Sequence, residues 1–407
     1  SVNSARITEK GRTNVINSMQ GSVAGVQITQ NSSRANAPFD IIIRGQNSVS
    51  GSTAPLYVVD GVITSNIDFL NPQDIEKIDI LKDASSTAIY GSRGSHGVVI
   101  VQTKSGQTLS KDTKPVISYD GYYGTSNIAR MPNFMDTSDW MKYRIMNYQY
   151  TSDSNNDGVL EFAKTDLKNI WMGGVTVTDT GDGKGLQPIY PNGKFSGSQW
   201  LLDRYLNNTS TDWLGLVSQT GIQQNHYIDV SGSSKNVSYV VGIGVQDEKG
   251  VFVNDRYTRY NLKGSVMAQL NEKWSAGFNI NTALSTQEEG SDNAMVSAFR
   301  MSPIVAAYDN GTLDPALNHL IGNIIVVPGK TTETTLDANN VASFNNSIGS
   351  GGFTSSINPL IDLANVSNNT RRLLVLGSTY LQFSPLKNLQ IKTTLSPSIN
   401  TYRNGKY

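Results

Sequence analysis

The chain has 407 residues, with 33 basic against 33 acidic side chains, three His and no Cys. A neutral balance argues against a nucleic-acid partner, which needs concentrated Lys and Arg, and the lack of Cys removes disulfides, Cys-ligated zinc and cysteine nucleophiles. No apolar run is long enough for a membrane helix, but membrane β-strands escape that test because only alternate residues face lipid.

The first stretch, "SVNSARITEKGR", has no signal-peptide core, so any signal was removed or not included. Up to about Gly106 the sequence reads as an α+β unit, with a short helix "TNVINSMQG" followed by the strand candidates "GVQITQ", "FDIIIRG" and "LYVVDGV". "YGSRGSHGVVIVQTKSG" (Tyr90 to Gly106) resembles a phosphate loop only in its glycines. Phosphate loops leave a strand and open a helix. Here "DASSTAIYG" is the helix-forming piece and "GVVIVQTK" the strand after it, so the glycines end a helix.

A polar linker, 108–115, separates this unit (1–107) from a region, 116–407, with another pattern. Long period-2 strands are expected near 116–124, 226–232, 237–247, 257–270, 273–286, 372–383 and 388–400. In "YNLKGSVMAQL", Tyr260, Leu262 and Val266 alternate with Asn261, Lys263 and Ser265. Such alternation suits either a soluble antiparallel sheet with one wet face or a membrane barrel with a wet lumen. Connection lengths separate the two. Long excursions (about 125–225 and 287–371) alternate with short turns, as external loops and periplasmic turns do in an outer-membrane barrel. Asn404-Gly405 near the end reads as a hairpin turn, and the seven strands predict either the N-terminal portion of a longer protein or a barrel whose remainder lies on another chain.

Within the first excursion, "DSNNDGVLE" has the start of a calcium loop. Asp153, Asn155, Asp157 and Glu161 would supply side-chain oxygens and Val159 a carbonyl. Lys164 stands where the bidentate Glu belongs, so a polar turn is the competing reading. Trp171, Trp200 and Trp213 are suited either to stacking on sugar rings or to anchoring the loop itself. His96, His226 and His319 lie in unlike contexts with no second ligand at zinc spacing, and no enzymatic constellation is present.

The series "MQGSVAGVQITQ", "FDIIIRGQNSVSGSTAPLYVVDGV" and "NPQDIEKIDILKDASSTAIYGSRGSHGVVIVQTKSG" resembles the plug of TonB-dependent outer-membrane transporters of the SusC-like branch in Bacteroidetes. "HYIDVSGSSKNVSYVVGIGVQDEKGVF" and "RYTRYNLKGSVMAQLNEKWSAGFNINTALS" are similar to the first barrel strands of that branch. The resemblance implies an all-β transmembrane antiparallel barrel of about 22 strands whose lumen holds an N-terminal α+β plug. It further implies active nutrient import powered by the TonB–ExbB–ExbD complex, with a SusD-like lipoprotein as lid and an oligosaccharide, or secondly an oligopeptide, as cargo. No cofactor is required beyond a possible structural calcium. The alternative is a receptor or adhesion platform that uses the barrel only as an anchor. Arg44 and Arg93 match plug arginines of the family; they either pair with carboxylates of the barrel wall or stay solvated in a wet lumen.

Overall fold

The computed structural model describes residues 2–3, 7, 14–21, 23–30, 32–43, 54–106, 112–140, 143, 176–179, 186–189, 204, 207–308, 320–321, 324–325, 358–386 and 388–406. They fall into two compact units: Ser1–Ile128 with Thr220–Glu289 and Ser367–Tyr407, and Ala129–Gln219 with Gly290–Val366.

The first unit opens with the plug. Its strands are β1 (Val2–Asn3), β2 (Gln27–Gln30), β3 (Phe39–Ile42), β4 (Leu56–Val59), β5 (Val62–Thr64), β6 (Ile75–Leu81) and β7 (Val98–Thr103). The helix Val15–Met19 starts at Asn14, whose Oδ1 accepts the Ile16 N–H at 2.8 Å, and it buries Val15, Ile16 and Met19. Five strands form a mixed sheet in the order β1-β6-β7-β4-β5, while β2 and β3 pair separately. Asp60 and Gly61 join β4 to β5 with positive φ at both positions, 47° and 86°, the conformation favoured for a two-residue hairpin loop.

The glycine run behaves as its order in the sequence requires. The helix Ala84–Thr87 passes into a 3-10 stretch, Ala88–Gly94, and then into β7, so no helix N-terminus opens on the glycines. Gly97 has φ 93°, and a Cβ there would lie 2.9 Å from Ile43 Cδ1, so left-handed backbone and close packing both demand glycine.

The rest of this unit is one antiparallel sheet. Its strands are β8 (Val116–Ser126), β11 (Gly221–Ser233), β12 (Val237–Lys249), β13 (Arg256–Gln269), β14 (Trp274–Glu289), β17 (Asn368–Leu386), β18 (Leu389–Leu395) and β19 (Ser398–Lys406). The order is β18-β17-β14-β13-β12-β11-β8, with β19 also on β17. With β18 and β19 taken as one interrupted edge strand on β17, sequence-adjacent strands within the sheet are neighbours, as an up-and-down barrel wall requires. The excursions after β8 and β14 leave and return at one end, where Ser126 pairs with Gly221 and Glu289 with Asn368.

Burial across this sheet is inverted relative to a soluble protein. Ile228, Ile243, Leu262, Phe278, Leu381 and Ile399 are exposed on one face. On the other, Asn225, Gln246, Arg259, Asn261, Lys263 and Asn281 are buried. Exposed apolar side chains around a polar interior are what a membrane barrel presents to lipid and lumen. No described helix is long and apolar enough to cross a membrane.

Two expectations for the last strand are corrected. The strand expected at 388–400 is divided into β18 and β19 at Ser396-Pro397, yet Thr379↔Leu395 and Leu376↔Ser398 keep one register on β17. Pro397 has no N–H to give to a ladder, so the ladder is interrupted there while the path continues. Asn404-Gly405 does not turn: Asn404 faces Thr370 and Gly405 faces Asn369 in extended pairing. The 19-residue β17 supplies a ladder that outweighs the local turn preference.

The second unit contains the helices Trp213–Val217, Asp292–Arg300 and Pro359–Asn365, together with the hairpins β9 (Thr176–Asp179) with β10 (Leu186–Ile189) and β15 (Leu320–Ile321) with β16 (Ile324–Ile325). Ser291 caps the second helix and Asn358 the third through their side-chain oxygens. Trp213 is buried and its Nε1–H donates to the Ser302 carbonyl at 2.9 Å, so of its two expected roles the structure shows the anchor.

Candidate functional site: the plug–barrel interface

The plug segment Asp68–Asp74, "DFLNPQD", is shaped by local chemistry. Asn71 accepts the Gln73 N–H at 3.1 Å and starts the 3-10 turn Pro72–Asp74, where proline suits the first position. The carbonyls of Asp68, Phe69 and Asp74 are thereby turned towards the barrel wall. β13 meets them with three successive inward side chains. Arg259 Nη1 donates to the Asp68 carbonyl, Asn261 Nδ2 to the Phe69 carbonyl at 2.7 Å, and Lys263 Nζ to the Asp74 carbonyl at 3.1 Å. Arg259 also donates from Nε to Asn261 Oδ1 at 2.8 Å, which fixes both side chains.

β11 and β8 complete the grip. The Tyr227 hydroxyl donates to the Asp74 carboxylate, and Gln73 donates to Asp120 at 2.7 Å. Burial pushes the Asp74 carboxyl above its usual value, opposed first by the Lys263 ammonium and then by the Tyr227 hydroxyl. Burial also raises Asp68, opposed by the Asn14 side chain and then by Arg259 and Arg372.

A second anchor lies at the β4–β5 turn. Asp60 accepts the Thr103 N–H at 2.8 Å and the Thr103 hydroxyl at 2.7 Å within the plug. The same carboxylate accepts from Asn279 at 2.8 Å and Asn281 at 3.2 Å on β14. Apolar contact adds to the anchors, since Ala283, Leu374 and Leu376 of the barrel belong to the same hydrophobic cluster as Phe69 and Leu70 of the plug.

Arg93, one of the two arginines singled out in the sequence, is exposed and has no ion-pair partner among the described residues. Arg44 and the loop with Asp153, Asn155, Asp157, Val159 and Glu161 lie outside the described residues. Among the described residues no group of three or more His, Asp or Glu is arranged for a metal. Among the described residues His96 meets Ser95 and His226 pairs with Tyr119 at 2.8 Å, while His319 lies outside them. Sequence reasoning missed Arg259, Tyr227, Asp60 and Asp74. The available signal was the polar phase of β13, since Arg259, Asn261 and Lys263 share one face.

The profile of the TonB-dependent Receptor Plug Domain matches residues 1–98. TonB-dependent receptor P26 of Formosa agariphila is 26% identical over 392 residues, 96% of this chain and 32% of that protein. TonB-dependent receptor SusC of Bacteroides thetaiotaomicron is 26% identical over 278 residues, 66% of this chain and 22% of that protein. The chain therefore spans about a third or less of the curated relatives it matches. The RagAB peptide importer in its open-open state superposes with a TM-score of 0.69 at 23% identity, over 100% of this chain and 40% of that one, a likeness of fold. Residues 1–98 are thus a TonB-dependent receptor plug domain, and with its plug sheet gripped by the polar face of a lipid-facing β-wall the chain as a whole is similar to the SusC-like TonB-dependent receptors of the outer membrane.

Proposed function

We propose that the chain is the plug and first barrel wall of an importer that moves a nutrient across the outer membrane. One observation carries this reading: Arg259, Asn261 and Lys263 hold the plug mainly by its backbone carbonyls. Such a grip closes the lumen with several separate hydrogen bonds that a directed pull breaks in turn. A mere anchor needs no closure of this kind. The pull comes from the TonB–ExbB–ExbD complex, and a SusD-like lipoprotein covers the external mouth. An oligosaccharide is the first cargo class, and an oligopeptide the second, which the fold likeness to a peptide importer supports.

The test is purification of the full-length protein from native outer membranes, with mass spectrometry of whatever stays bound. A SusD-like lipoprotein with trapped oligosaccharide or peptide is the expected result. An isolated barrel, and growth on those nutrients unchanged by deletion of the gene, would overturn it.

The loop with Asp153, Asn155, Asp157, Val159 and Glu161 is proposed as a structural calcium site of this importer. Calorimetry should show calcium-dependent heat that Asp157→Ala abolishes. Equal traces for the two proteins would identify a polar turn. Arg44 and Arg93 are proposed to meet carboxylates of the complete barrel wall. Arg93→Ala should then loosen the plug.

A further inference from the structure

The lumen face of β12 lacks side chains at the centre of the plug grip. Val240, Gly242, Gly244 and Gln246 are the buried positions that alternate along this strand. Gly244 stands directly between Tyr227 on β11 and Asn261 on β13, and Gly242 directly between Asp229 and Lys263. All three strands are interior to the sheet, each paired on both sides.

Tyr227 and the plug residue Asn71 fill the gap. A Cβ on Gly242 would run into the Tyr227 hydroxyl and lie 2.7 Å from Tyr227 Cζ. A Cβ on Gly244 would lie 3.1 Å from Tyr227 Cδ2 and 2.7 Å from Asn71 Nδ2. The tyrosine ring therefore lies across both glycines, which carries its hydroxyl to the Asp74 carboxylate. Neither side chain is at liberty to step aside. The Tyr227 hydroxyl is engaged by Asp74, Asn71 Oδ1 accepts the Gln73 N–H, and Asn71 and Tyr227 are only 0% and 2% exposed. The backbone gives no reason for glycine at these positions. Neither is among the glycines with positive φ, and glycine inside a strand weakens it. What both positions supply is room.

We propose that Gly242 and Gly244 are positioning residues that seat the plug: the recess they leave in the lumen wall sets Tyr227 against Asp74 and admits Asn71. The inference rests on the reading of this wall as part of an importer, and it adds residues that act only through the space beside them.

The experiment is amide exchange in the detergent-purified full-length protein carrying Gly242→Ala, Tyr227→Ala or both. Gly242→Ala should speed exchange through Asp68–Leu81 by about tenfold, as overpacking of a filled site does, while exchange within β11, β12 and β13 hardly moves. Tyr227→Ala should speed it too, by loss of the bond to Asp74. The double variant should exchange no faster than Tyr227→Ala alone, because the added methyl then has room. Gly244→Ala should act in the same way and be relieved by Tyr227→Ala and Asn71→Ala together. Additive effects of Gly242→Ala and Tyr227→Ala would overturn the proposal. So would exchange that quickens in the barrel strands as much as in the plug, which would mark a merely structural role. Should Gly242→Ala abolish the heat-sensitive gel migration of a folded barrel, the double variant decides: migration like that of Tyr227→Ala supports the recess, and its absence overturns it. Exchange reports seating whether or not cargo moves, so a failure of the import reading shows separately, in growth on the nutrient.

Discussion

Lys263→Ala should weaken the attachment of the plug by about 3 kcal/mol, the lower range for a buried charge that loses its partner. Lys263 is 1% exposed and Asp74 3%, so water cannot replace the missing ammonium without opening the interface. The substitution also removes the hydrogen bond to the Asp74 carbonyl. Amide exchange through Asp68–Leu81 in the full-length protein should speed up by about 100-fold. Exchange within the barrel strands should hardly move. Unchanged exchange in the plug segment would mean that the remaining contacts carry the anchor.

The pH dependence of that effect has a definite sign. Burial raises the folded-state carboxyl of Asp74 above its unfolded value. Its charge therefore opposes folding, a cost absent below the unfolded value and complete above the folded one. Removing Lys263 takes away the first of the groups that oppose the shift and enlarges the cost at neutral pH. The Lys263→Ala defect should be largest near neutrality and shrink as acid neutralises Asp74. Lys263→Met with Asp74→Asn should recover much of the loss, because replacing both members of a buried pair leaves no uncompensated charge.

The phase of the strands was legible in the sequence, but not which face was wet. Tyr260, Leu262 and Val266 against Asn261, Lys263 and Ser265 fit either a soluble sheet or a barrel, and only the one-sided distribution of long connections decided between them. The plug anchor was hidden for a different reason. Arg259, Asn261 and Lys263 bind main-chain carbonyls, and a carbonyl leaves no signature in the sequence. The resemblance to family plugs pointed instead to Arg44 and Arg93. At Asn404-Gly405 the local signal was real, but a neighbouring strand supplied more hydrogen bonds than a turn offers. Pro397 did mark its own position, since a ladder cannot form where an N–H is missing.

Asp60→Ala should cost about 3–4 kcal/mol, from two sources that can be separated. One carboxylate receives the Thr103 N–H, the Thr103 hydroxyl and the amides of Asn279 and Asn281. Losing it strands these donors in a half-buried site, at about 1–3 kcal/mol for each group left unsatisfied and less where water enters. The second source is the backbone. Asp60 has φ 47°, where alanine costs about 1 kcal/mol relative to glycine. Asp60→Gly should therefore be milder than Asp60→Ala by about that amount while losing the same hydrogen bonds. Because the turn ties β4 and β5 to β14, both variants should loosen the plug within its lumen. Cells carrying them should admit vancomycin, a solute too large for ordinary porins, more readily than cells with the native protein. The order Ala, then Gly, then native should hold for vancomycin sensitivity and for exchange of the Thr103 amide alike. If exchange followed that order but permeability did not, Asp60 would stabilise the hairpin without helping to seat the plug.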